Sequence, residues 1–414
     1  MLRSILPQDY LLNQGIILSD FENIADFTIV GGIGEENTSQ YRTGTTSLKL
    51  TAITDGGAPN ATKIIDLNLA NTQLFSFWVY LHSSEDTDWQ VTLDFSSTID
   101  FSKRMRATFE GNKWLYQNQW CKLSCHRDDF VSLSGDLWSN RMVRFKITAF
   151  SHGGKRISAS FDDLRCGEEG IPRCVITFDD GHITNIGGGK SPYDYMVDKG
   201  LRGTLYIIPI VIGTAGHISL SQLQSLYGQG WAIANHTETH GRWASNAITS
   251  QSEFEDEIAG CKDYLINNDM PRAALHLAYP GGYPRQPYSS LSVIQVSRAA
   301  MVSQGMLTGR TVVGYCQPTP MGNYHYLNSR MVSPTTSLAT ATNWVDQAIK
   351  QQSTLVIGLH DITDGAGTDN RWSITNYKAL IDYIVARRIR CLTIDEWYKG
   401  LTDSRYRSLL LIRA

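Results

Sequence analysis

The sequence predicts two domains, an all-β sandwich followed by an α/β domain of repeated βα units. The chain has 414 residues, which is more than a single hydrophobic core usually supports. Its first half carries short segments in which apolar and polar residues alternate, whereas its second half alternates short apolar strands with amphipathic helices. Because these two patterns belong to different fold classes, they indicate separate domains.

The first domain is assigned to residues 21–167. The alternation typical of strands is clearest over 47–50, 74–81, 89–95 and 142–147, and turn-forming clusters separate these segments. Short strands at this spacing, with no long helical pattern between them, are typical of a sandwich of two sheets.

The second domain is assigned to residues 173–402. Repeated βα units over a segment of this length imply a parallel sheet, either a barrel or an open doubly wound sheet. The predicted strands span 174–178, 204–208, 231–235, 275–279, 311–315, 355–359 and 390–394. The predicted helices span 219–227, 252–266, 291–304, 339–351 and 375–387.

Composition limits the partners and the compartment. The formal net charge of -3 gives no sign of a nucleic-acid partner, which would normally show as a basic patch. No apolar run approaches the roughly 20 residues that span a bilayer, so no membrane partner is expected. The N-terminal segment 1–20 lacks the features of a signal peptide, and residues 403–414 are assigned to a C-terminal tail. We therefore expect synthesis in the cytoplasm.

Polar residues cluster at the ends of the predicted strands in the second domain. Asp179 and Asp180 follow one strand, His236 follows another, and Gly281 and His360 follow two more. In a parallel βα barrel these strand ends converge on one face, where active sites lie. The positions therefore predict one shared site.

The residue types at these positions suit a metal centre. His236 and His240 stand four residues apart, so on a helical turn both imidazoles would share a face and could bind one metal. One carboxylate of Asp179 and Asp180 could complete the site, and the other could act as a base. His360 could act as a general acid. The alternatives are two unrelated surface histidines, an aspartate turn and a buried structural histidine.

Three motifs in this order resemble the NodB-homology polysaccharide deacetylases, which form carbohydrate esterase family four. The motif T-F-D-D-G spans 177–181, H-T-E-T-H spans 236–240, and a hydrophobic strand ending in Leu-His spans 355–360. The resemblance covers roughly residues 173–400. It implies a distorted (β/α) barrel, which is one of the two sheet forms left open above.

The resemblance also implies roles for the clustered residues. Asp179 would be the general base and His360 the general acid. Asp180, His236 and His240 would bind a divalent metal, usually zinc. The metal would polarise the acetyl carbonyl and activate a water molecule.

The third motif of the family departs from its usual form. The segment reads Ala278-Tyr279-Pro280-Gly281, so the motif arginine is replaced by Ala278. The main-chain N–H of Gly281 can still contact the oxyanion, with Tyr279 beside the substrate and Leu359 beside the acetyl methyl group. We hypothesise that Arg330 replaces the missing arginine and orients the base, although it could also be a surface residue.

The first domain resembles the jelly-roll carbohydrate-binding modules. The matching features are an opening Phe21-Glu22, the 47–50 strand, and a closing Phe-Asp-Asp-Leu segment at 161–164. In such modules acidic residues of the first and last strands often surround a structural calcium, which takes oxygen ligands. The resemblance therefore implies calcium ligands at Glu22 and Asp163, and two solvated charges are the alternative.

These observations predict an enzyme that removes N- or O-acetyl groups from an acetylated polysaccharide by metal-dependent hydrolysis. The alternative is a phage tail or other surface-recognition protein that uses the deacetylase fold mainly to bind glycans. A homo-oligomer or attachment to a virion would fit the alternative. Without a signal peptide, the protein would act outside the cell as a virion component or after lysis. The sugar itself is left open by the sequence.

Overall fold

The computed structural model describes most of the chain as two compact units. One unit contains Leu11–Gly170 with Pro318–Asn323, and the other contains Ile171–Gln317 with Tyr324–Ala414 and the first ten residues. The described residues are 11–84, 88–112, 117–186, 191–245, 247–248, 250–284, 291–314, 322–365 and 370–402. Residues 1–10 and the tail assigned to 403–414 therefore lie outside them.

The first sheet of the β unit is antiparallel. Its strands are β2 Ile16–Ser19, β4 Ile33–Glu36, β5 Leu48–Thr51, β7 Leu74–Ser84, β10 Trp120–His126 and β13 Ile157–Cys166. They are ordered β10–β7–β13–β5–β4, and β2 pairs with β13.

The second sheet of this unit is also antiparallel. Its strands are β3 Phe27–Val30, β6 Asn60–Asn68, β8 Asp88–Ser96, β9 Arg104–Asn112, β11 Val131–Leu133 and β12 Arg141–Ser151. They are ordered β11–β9–β8–β12–β6–β3. A separate short pair joins β1 Leu11–Asn13 to β14 Glu169–Gly170.

A shared aromatic core holds the two sheets together. Phe75 on β7 and Phe95 on β8 are fully buried, and their ring centroids lie 5.1 Å apart. The ring of Trp138 stacks on Phe75 at 5.2 Å. Because side chains alternate between the faces of a strand, every second residue of β7 and β8 enters this core, and each buried Phe contributes about 1.5–3 kcal/mol.

The sandwich begins earlier than the sequence indicated. Residues before 21 were predicted to be a separate N-terminal segment, but β2 pairs with β13 across Ser19 and Leu164. The strand Ile16–Ser19 reads Ile-Ile-Leu-Ser and lacks the alternation of apolar and polar residues by which the other strands were predicted.

The second unit is built on a parallel sheet. Its strands are β15 Arg173–Asp179, β16 Thr204–Ile207, β17 Ala232–Asn235, β18 Ala273–Ala278, β19 Thr308–Arg310, β20 Arg330–Met331, β21 Thr354–Leu359 and β22 Arg390–Cys391. The order is β19–β18–β17–β16–β15–β21–β20, with β22 paired to the start of β15.

The sheet curls so that its two outer strands approach each other. Leu327, which precedes β20, donates its N–H to Gly309 O at 2.8 Å and accepts the N–H of Thr311 at 2.8 Å. Ser329 N donates to Val313 O in the same ladder. The segment that leads into β20 therefore pairs with β19 and its extension.

Helices cover this sheet. They are α1 Pro192–Asp198, α2 Leu220–Gly228, α3 Gly241–Ala244, α4 Gln251–Asn267, α5 Leu291–Ser303, α6 Leu338–Lys350, α7 Ile374–Ala386 and α8 Ile394–Thr402. Five of them begin after a serine whose hydroxyl accepts a main-chain N–H of the first turn, which satisfies a donor that the helix leaves unpaired. These serines are Ser191, Ser219, Ser250, Ser337 and Ser373.

Two predicted strands were misplaced. The strand predicted at 311–315 lies earlier, at Thr308–Arg310, and residue 315 is outside the described part. The strand predicted at 390–394 ends at Cys391, and Ile394 already begins α8. None of the described helices combines the length and the apolar character needed to cross a bilayer.

Candidate active site

Two adjacent carboxylates stand where β15 ends. Asp179 is the last residue of the strand and is buried. Asp180 and Gly181 both have positive φ angles, 67° and 72°, so the chain turns sharply out of the sheet. Glycine adopts this conformation freely and aspartate tolerates it better than most residues. The turn therefore places two consecutive carboxylates at one strand end.

Asp180, His236 and His240 form a compact cluster. One ligand atom from each lies within 4.8 Å of the others, and no other described group of three such side chains does so. Nε2 of His236 and Nε2 of His240 lie 3.4 and 4.0 Å from Oδ1 of Asp180. Tetrahedral zinc with bonds of about 2.0–2.1 Å places its ligand atoms about 3.4 Å apart. The cluster therefore has the dimensions of a metal site.

The hydrogen bonds around the cluster also fit a metal. Nδ1 of His236 lies 2.8 Å from the carbonyl oxygen of Ala278. That contact makes Nδ1 the donor and leaves Nε2 with a free lone pair toward Asp180. Oδ1 of Asp180 is buried, and the described residues offer it no hydrogen bond of normal geometry. A cation is the partner that a buried carboxylate oxygen of this kind would accept.

The sequence suggested that the two histidines lie on a helical turn, and this expectation is wrong. Thr237 has a φ angle of 66°, and His240 has φ 55° before α3 begins at Gly241. Hydrogen bonds hold this loop in place: Asn235 Oδ1 accepts Thr237 N, and Thr237 Oγ1 accepts His240 N. The imidazoles therefore converge because of a strained loop.

A buried glutamate supports the same loop from α4. Glu257 is 1% exposed and accepts hydrogen bonds from the N–H and the hydroxyl of Thr239. Its main-chain carbonyl accepts Glu238 N. The turn between the two histidines is thus fixed to a long helix.

The electrostatics of the cluster favour a charged carboxylate. Burial by itself would raise the pKa of Asp180, but the imidazoles of His182 and His236 outweigh it and hold that pKa well below its usual value. Burial would lower the pKa of His236, yet neighbouring carboxylates raise it. Burial and the neighbouring His236 lower the pKa of His240 to about 4, so that imidazole stays neutral and able to bind a metal.

Asp179 is held by an arginine that the sequence analysis did not single out. Nη2 of Arg310 lies 2.5 Å from Oδ2 of Asp179, and both side chains are almost completely buried. Oδ1 of Asp179 is buried without a hydrogen-bond donor among the described residues. One oxygen is therefore anchored while the other is available.

The hypothesis that Arg330 makes this contact is wrong. Arg330 instead donates to Gln347 Oε1 at 3.4 Å and lies 5.8 Å from the ring centroid of Trp344. It ends up there because β20 pairs with β21, whereas Arg310 closes β19. In the sequence Arg310 directly precedes the strand predicted at 311–315, so the misplaced strand put it before a strand, whereas it ends β19.

His360 follows β21 on the other side of the carboxylates. Its Nε2 lies 3.8 Å from Oδ2 of Asp179 and 4.0 Å from Oδ2 of Asp180. Its Nδ1 is buried and has no hydrogen-bond partner in the described part of the chain. Burial lowers the pKa of His360 below its usual value.

A buried asparagine holds the turn that carries His360. The side-chain N–H of Asn185 donates to His360 O at 2.8 Å, and its Oδ1 accepts Ile362 N at 3.0 Å. Asp361, in the same turn, accepts the hydroxyl of Thr184 at 2.6 Å. Position 360 is thus fixed through its backbone.

The predicted substrate-facing residues behave differently from one another. Tyr279 is 1% exposed, and its hydroxyl donates to His325 O, so the prediction that its side chain faces a substrate is wrong. Gly281 lies in the turn Pro280–Gly282 with φ 66°, and its role at the oxyanion stays a prediction. Leu359 ends β21 and is buried, so its place beside an acetyl group also stays a prediction.

The structure does not support the calcium site predicted in the sandwich. The carboxylate of Glu22 accepts hydrogen bonds from Thr45 and from Thr46 N. Asp163 pairs with Arg165 at 2.7 Å. Protein donors thus occupy the oxygens that a calcium ion would need, and an arginine beside Asp163 would repel the ion.

The fold and the site together define an α/β protein with a candidate metal centre beyond the carboxyl ends of its parallel strands. Residues 167–300 match the family model described as polysaccharide deacetylase. This match confirms the resemblance of the motifs at 177–181 and 236–240 to the polysaccharide deacetylases over that segment.

One curated relative matches over a shorter segment. It is the Bacillus subtilis (strain 168) protein YxkH, which carries a polysaccharide deacetylase name. It is 30% identical over 111 residues, which are 27% of this chain and 37% of the relative. The match thus spans little more than a third of the length of that relative.

Solved structures of two kinds are similar to parts of the chain. A family 4 carbohydrate esterase from Streptomyces lividans aligns with 52% of this chain and 86% of its own, at 18% identity and a TM-score of 0.33. A family 11 carbohydrate-binding module from Clostridium thermocellum aligns with 36% of this chain and 93% of its own, at 12% identity and a TM-score of 0.29.

Proposed function

We propose that the protein removes acetyl groups from an acetylated polysaccharide by hydrolysis. One observation carries this proposal: the cluster of Asp180, His236 and His240 lies directly beside Asp179 and His360. A ligand set, a base and an acid thus face one another at the ends of three strands. This is the combination that hydrolysis of an amide or ester requires.

We assign a divalent cation, most simply zinc, to the ligand cluster. Asp180, His236 and His240 would hold it with one carboxylate oxygen and two imidazole nitrogens. When bound, such an ion polarises a carbonyl and lowers the pKa of a water molecule bound to it toward neutrality.

Asp179 serves as the general base in this proposal. Arg310 anchors its Oδ2, which leaves Oδ1 free to accept the proton of the attacking water. A base with one fixed oxygen needs no reorientation when the proton moves.

His360 serves as the general acid. Its Nε2 lies about as far from Asp179 as from Asp180, at 3.8 and 4.0 Å, so it faces the same space as the base. It would donate a proton to the nitrogen or oxygen that leaves the acetyl carbon. The side-chain N–H of Asn185 donates to the carbonyl oxygen of His360 and so holds its backbone in place.

The test is acetate release from a panel of N-acetylated and O-acetylated polysaccharides, with and without a chelator. We expect release from at least one substrate, loss of release with the chelator, and recovery when zinc is added back. Release that is indifferent to the chelator would overturn the assigned metal role. The variant Asp179→Asn supplies the catalytic control, because it keeps the shape of the base and removes its charge.

The same panel separates catalysis from recognition alone. A surface-recognition protein, such as a phage tail component, would bind a glycan without releasing acetate. Measuring binding of each polysaccharide beside acetate release therefore distinguishes the two functions. Binding without release from any acetylated substrate would favour the recognition role.

A further inference from the structure

The outward face of the second sandwich sheet carries a dense group of cations. Along β8, Leu93 and Phe95 are fully buried in the core, so Thr92, Asp94 and Ser96 belong to the opposite face. These three short side chains are themselves 3% exposed or less. Longer side chains on the flanking strands β9 and β12 cover them, and we call this strip of the sheet face, which runs along β8, the groove.

The strand register aligns these side chains in rows across the groove. Asp94 stands opposite Arg106 on β9 and Lys146 on β12. Ser96 stands opposite Arg144 on β12, and the same register places Arg104 on its other side. Two adjacent rows on one face thus hold four basic residues.

The positive charges outnumber the negative charge between them. Arg106 takes both oxygens of Asp94, with Nε to Oδ1 at 2.7 Å and Nη2 to Oδ2 at 2.8 Å. Lys146 Nζ lies 3.8 Å from the same carboxylate. Arg104 and Arg144 have no described carboxylate within ion-pair distance. Four cations therefore face one anion.

Two of these arginines also carry unused donors. Nε of Arg104 and Nε of Arg144 are buried, and neither has a hydrogen-bond partner among the described residues. The two guanidinium groups repel each other across β8, and a buried donor without a partner is unfavourable. An anionic ligand between the two arginines would remove both penalties.

Two acidic side chains, Asp136 and Asp100, are used elsewhere. Asp136 accepts hydrogen bonds from Ser97 and from Asn140, which engages its carboxylate. Asp100 accepts the N–H of Ser102 and is exposed. Neither carboxylate forms an ion pair with the cationic rows in the described structure, so the excess charge is available to a ligand.

A row of hydroxyl groups adjoins the cations. Thr108 on β9 is exposed and Thr148 on β12 is half-buried, and both stand opposite the buried Thr92 on β8. Hydroxyls next to guanidinium groups match a ligand that carries both hydroxyls and an anion. The three strands span about 10 Å, twice the usual strand spacing, which is the width of one or two sugar rings.

We propose that this groove binds an acidic polysaccharide, and that Arg104 and Arg144 form ion pairs with the carboxylate of a uronic acid residue. A guanidinium fork matches a carboxylate in shape and charge. Nucleic acid fits less well, because a protein that binds it typically makes 6–10 phosphate contacts and the groove offers about four cations. The inference rests on the proposed function only in taking the ligand to be a polysaccharide.

Binding of the full chain to three polymers tests the proposal. The probes are polygalacturonate, its fully methyl-esterified form, which is neutral, and duplex DNA at equal charge concentration. We expect polygalacturonate to bind more tightly than the other two, and its affinity to fall as salt rises. The double variant Arg104→Gln/Arg144→Gln should weaken this binding about tenfold or more, as for the loss of charged hydrogen bonds.

A matched variant controls for net charge. Arg141 and Arg156 are exposed arginines that pair with Asp66 and Asp55. The double variant Arg141→Gln/Arg156→Gln therefore removes the same number of positive charges from the same unit. It should leave the affinity for polygalacturonate nearly unchanged. If the first double variant fails to fold, Arg144→Gln alone should still weaken binding.

Several results would overturn the proposal. They are no binding of polygalacturonate, equal weakening in both double variants, equal binding of the esterified polymer, or preferential binding of DNA. The variant His236→Ala should bind polygalacturonate as the natural chain does, because the groove and the metal cluster use different residues. If the groove proposal is wrong, acetate release by the natural chain is unaffected. If the proposed catalysis is wrong, binding of polygalacturonate by the groove is unaffected.

Discussion

Nη2 of Arg310 lies 2.5 Å from Oδ2 of Asp179, and the two side chains are 1% and 4% exposed. Arg310 ends β19 and Asp179 ends β15, and three strands stand between them in the sheet order. Two residues so far apart along a sheet can meet only if the sheet curls and both side chains enter its concave side. The contact therefore depends on the curvature of the sheet.

Removing this arginine should impair both catalysis and folding. For Arg310→Ala we expect kcat to fall by about 10²-fold or more, because the base loses its orientation. The protein should also lose about 3–5 kcal/mol of stability, since a buried carboxylate is left without its partner. Kinetics of acetate release and denaturant unfolding measure the two effects, and Arg310→Lys should recover part of each.

Arg330 supplies the matched control for this experiment. The variant Arg330→Ala removes an arginine that contacts Gln347 and Trp344 and lies away from Asp179. We expect its kcat to stay close to that of the natural protein. A large loss in Arg330→Ala together with an intact Arg310→Ala would contradict the assignment of the anchor.

Metal content should depend on the three residues of the ligand cluster, Asp180, His236 and His240. In His236→Ala, one of three ligand atoms is lost, so we expect the purified protein to contain little zinc by elemental analysis. His217 is the control, because its ring packs against His182 at 5.6 Å but lies outside the cluster. Full metal content in His236→Ala would show that the ligand assignment is wrong.

Asn185 should affect turnover without affecting binding. Asn185→Asp keeps the acceptor for Ile362 N and loses the donor to His360 O, so the acid would be held less firmly. We expect kcat to fall about tenfold with little change in KM, the pattern of an interaction that acts in the transition state. A rise in KM at constant kcat would instead indicate a substrate-binding role.

His276 should make stability depend on pH. It is 2% exposed, its Nδ1 lies 2.9 Å from Thr308 Oγ1, and burial lowers its pKa to about 4. The unfolded chain, with an ordinary histidine pKa of about 6.5, takes up a proton that the folded chain refuses. Stability from this residue is therefore present above pH 6.5 and is lost between pH 6.5 and 4.

Comparing natural protein with His276→Gln isolates this effect. Between pH 7 and 4 the natural protein should lose about 2–3 kcal/mol more unfolding free energy than the variant. Urea titrations at both pH values measure the difference. Parallel losses in the two proteins would mean that His276 is not the residue that takes up the proton on unfolding.

Local patterns were enough to predict several helices closely. The segments predicted at 219–227, 252–266 and 339–351 correspond to Leu220–Gly228, Gln251–Asn267 and Leu338–Lys350. Their apolar periodicity and N-terminal serine caps are both local signals, which operate within one or two turns of chain. Secondary structure of this kind could therefore be predicted without the tertiary fold.

Other elements carried signals that were overlooked or weak. Helix α1 begins with Ser191 and Pro192, and Asp194 completes a capping box, so its start could have been predicted. The two-residue strand Arg330–Met331 has no periodicity of its own. It forms because β21 offers it a partner strand, which no local pattern encodes.

The anchor of Asp179 marks where prediction from the sequence ended. The motifs at 177–181 and 236–240 predicted the cluster of Asp180, His236 and His240 and the neighbouring Asp179, because the residues of each motif are close in sequence and follow a strand. Which arginine reaches Asp179 was decided by the register of β19 and the curl of the sheet. Both depend on pairing between separate strands, and the contact itself joins residues 131 positions apart in the chain, so only the tertiary structure could choose Arg310 over Arg330.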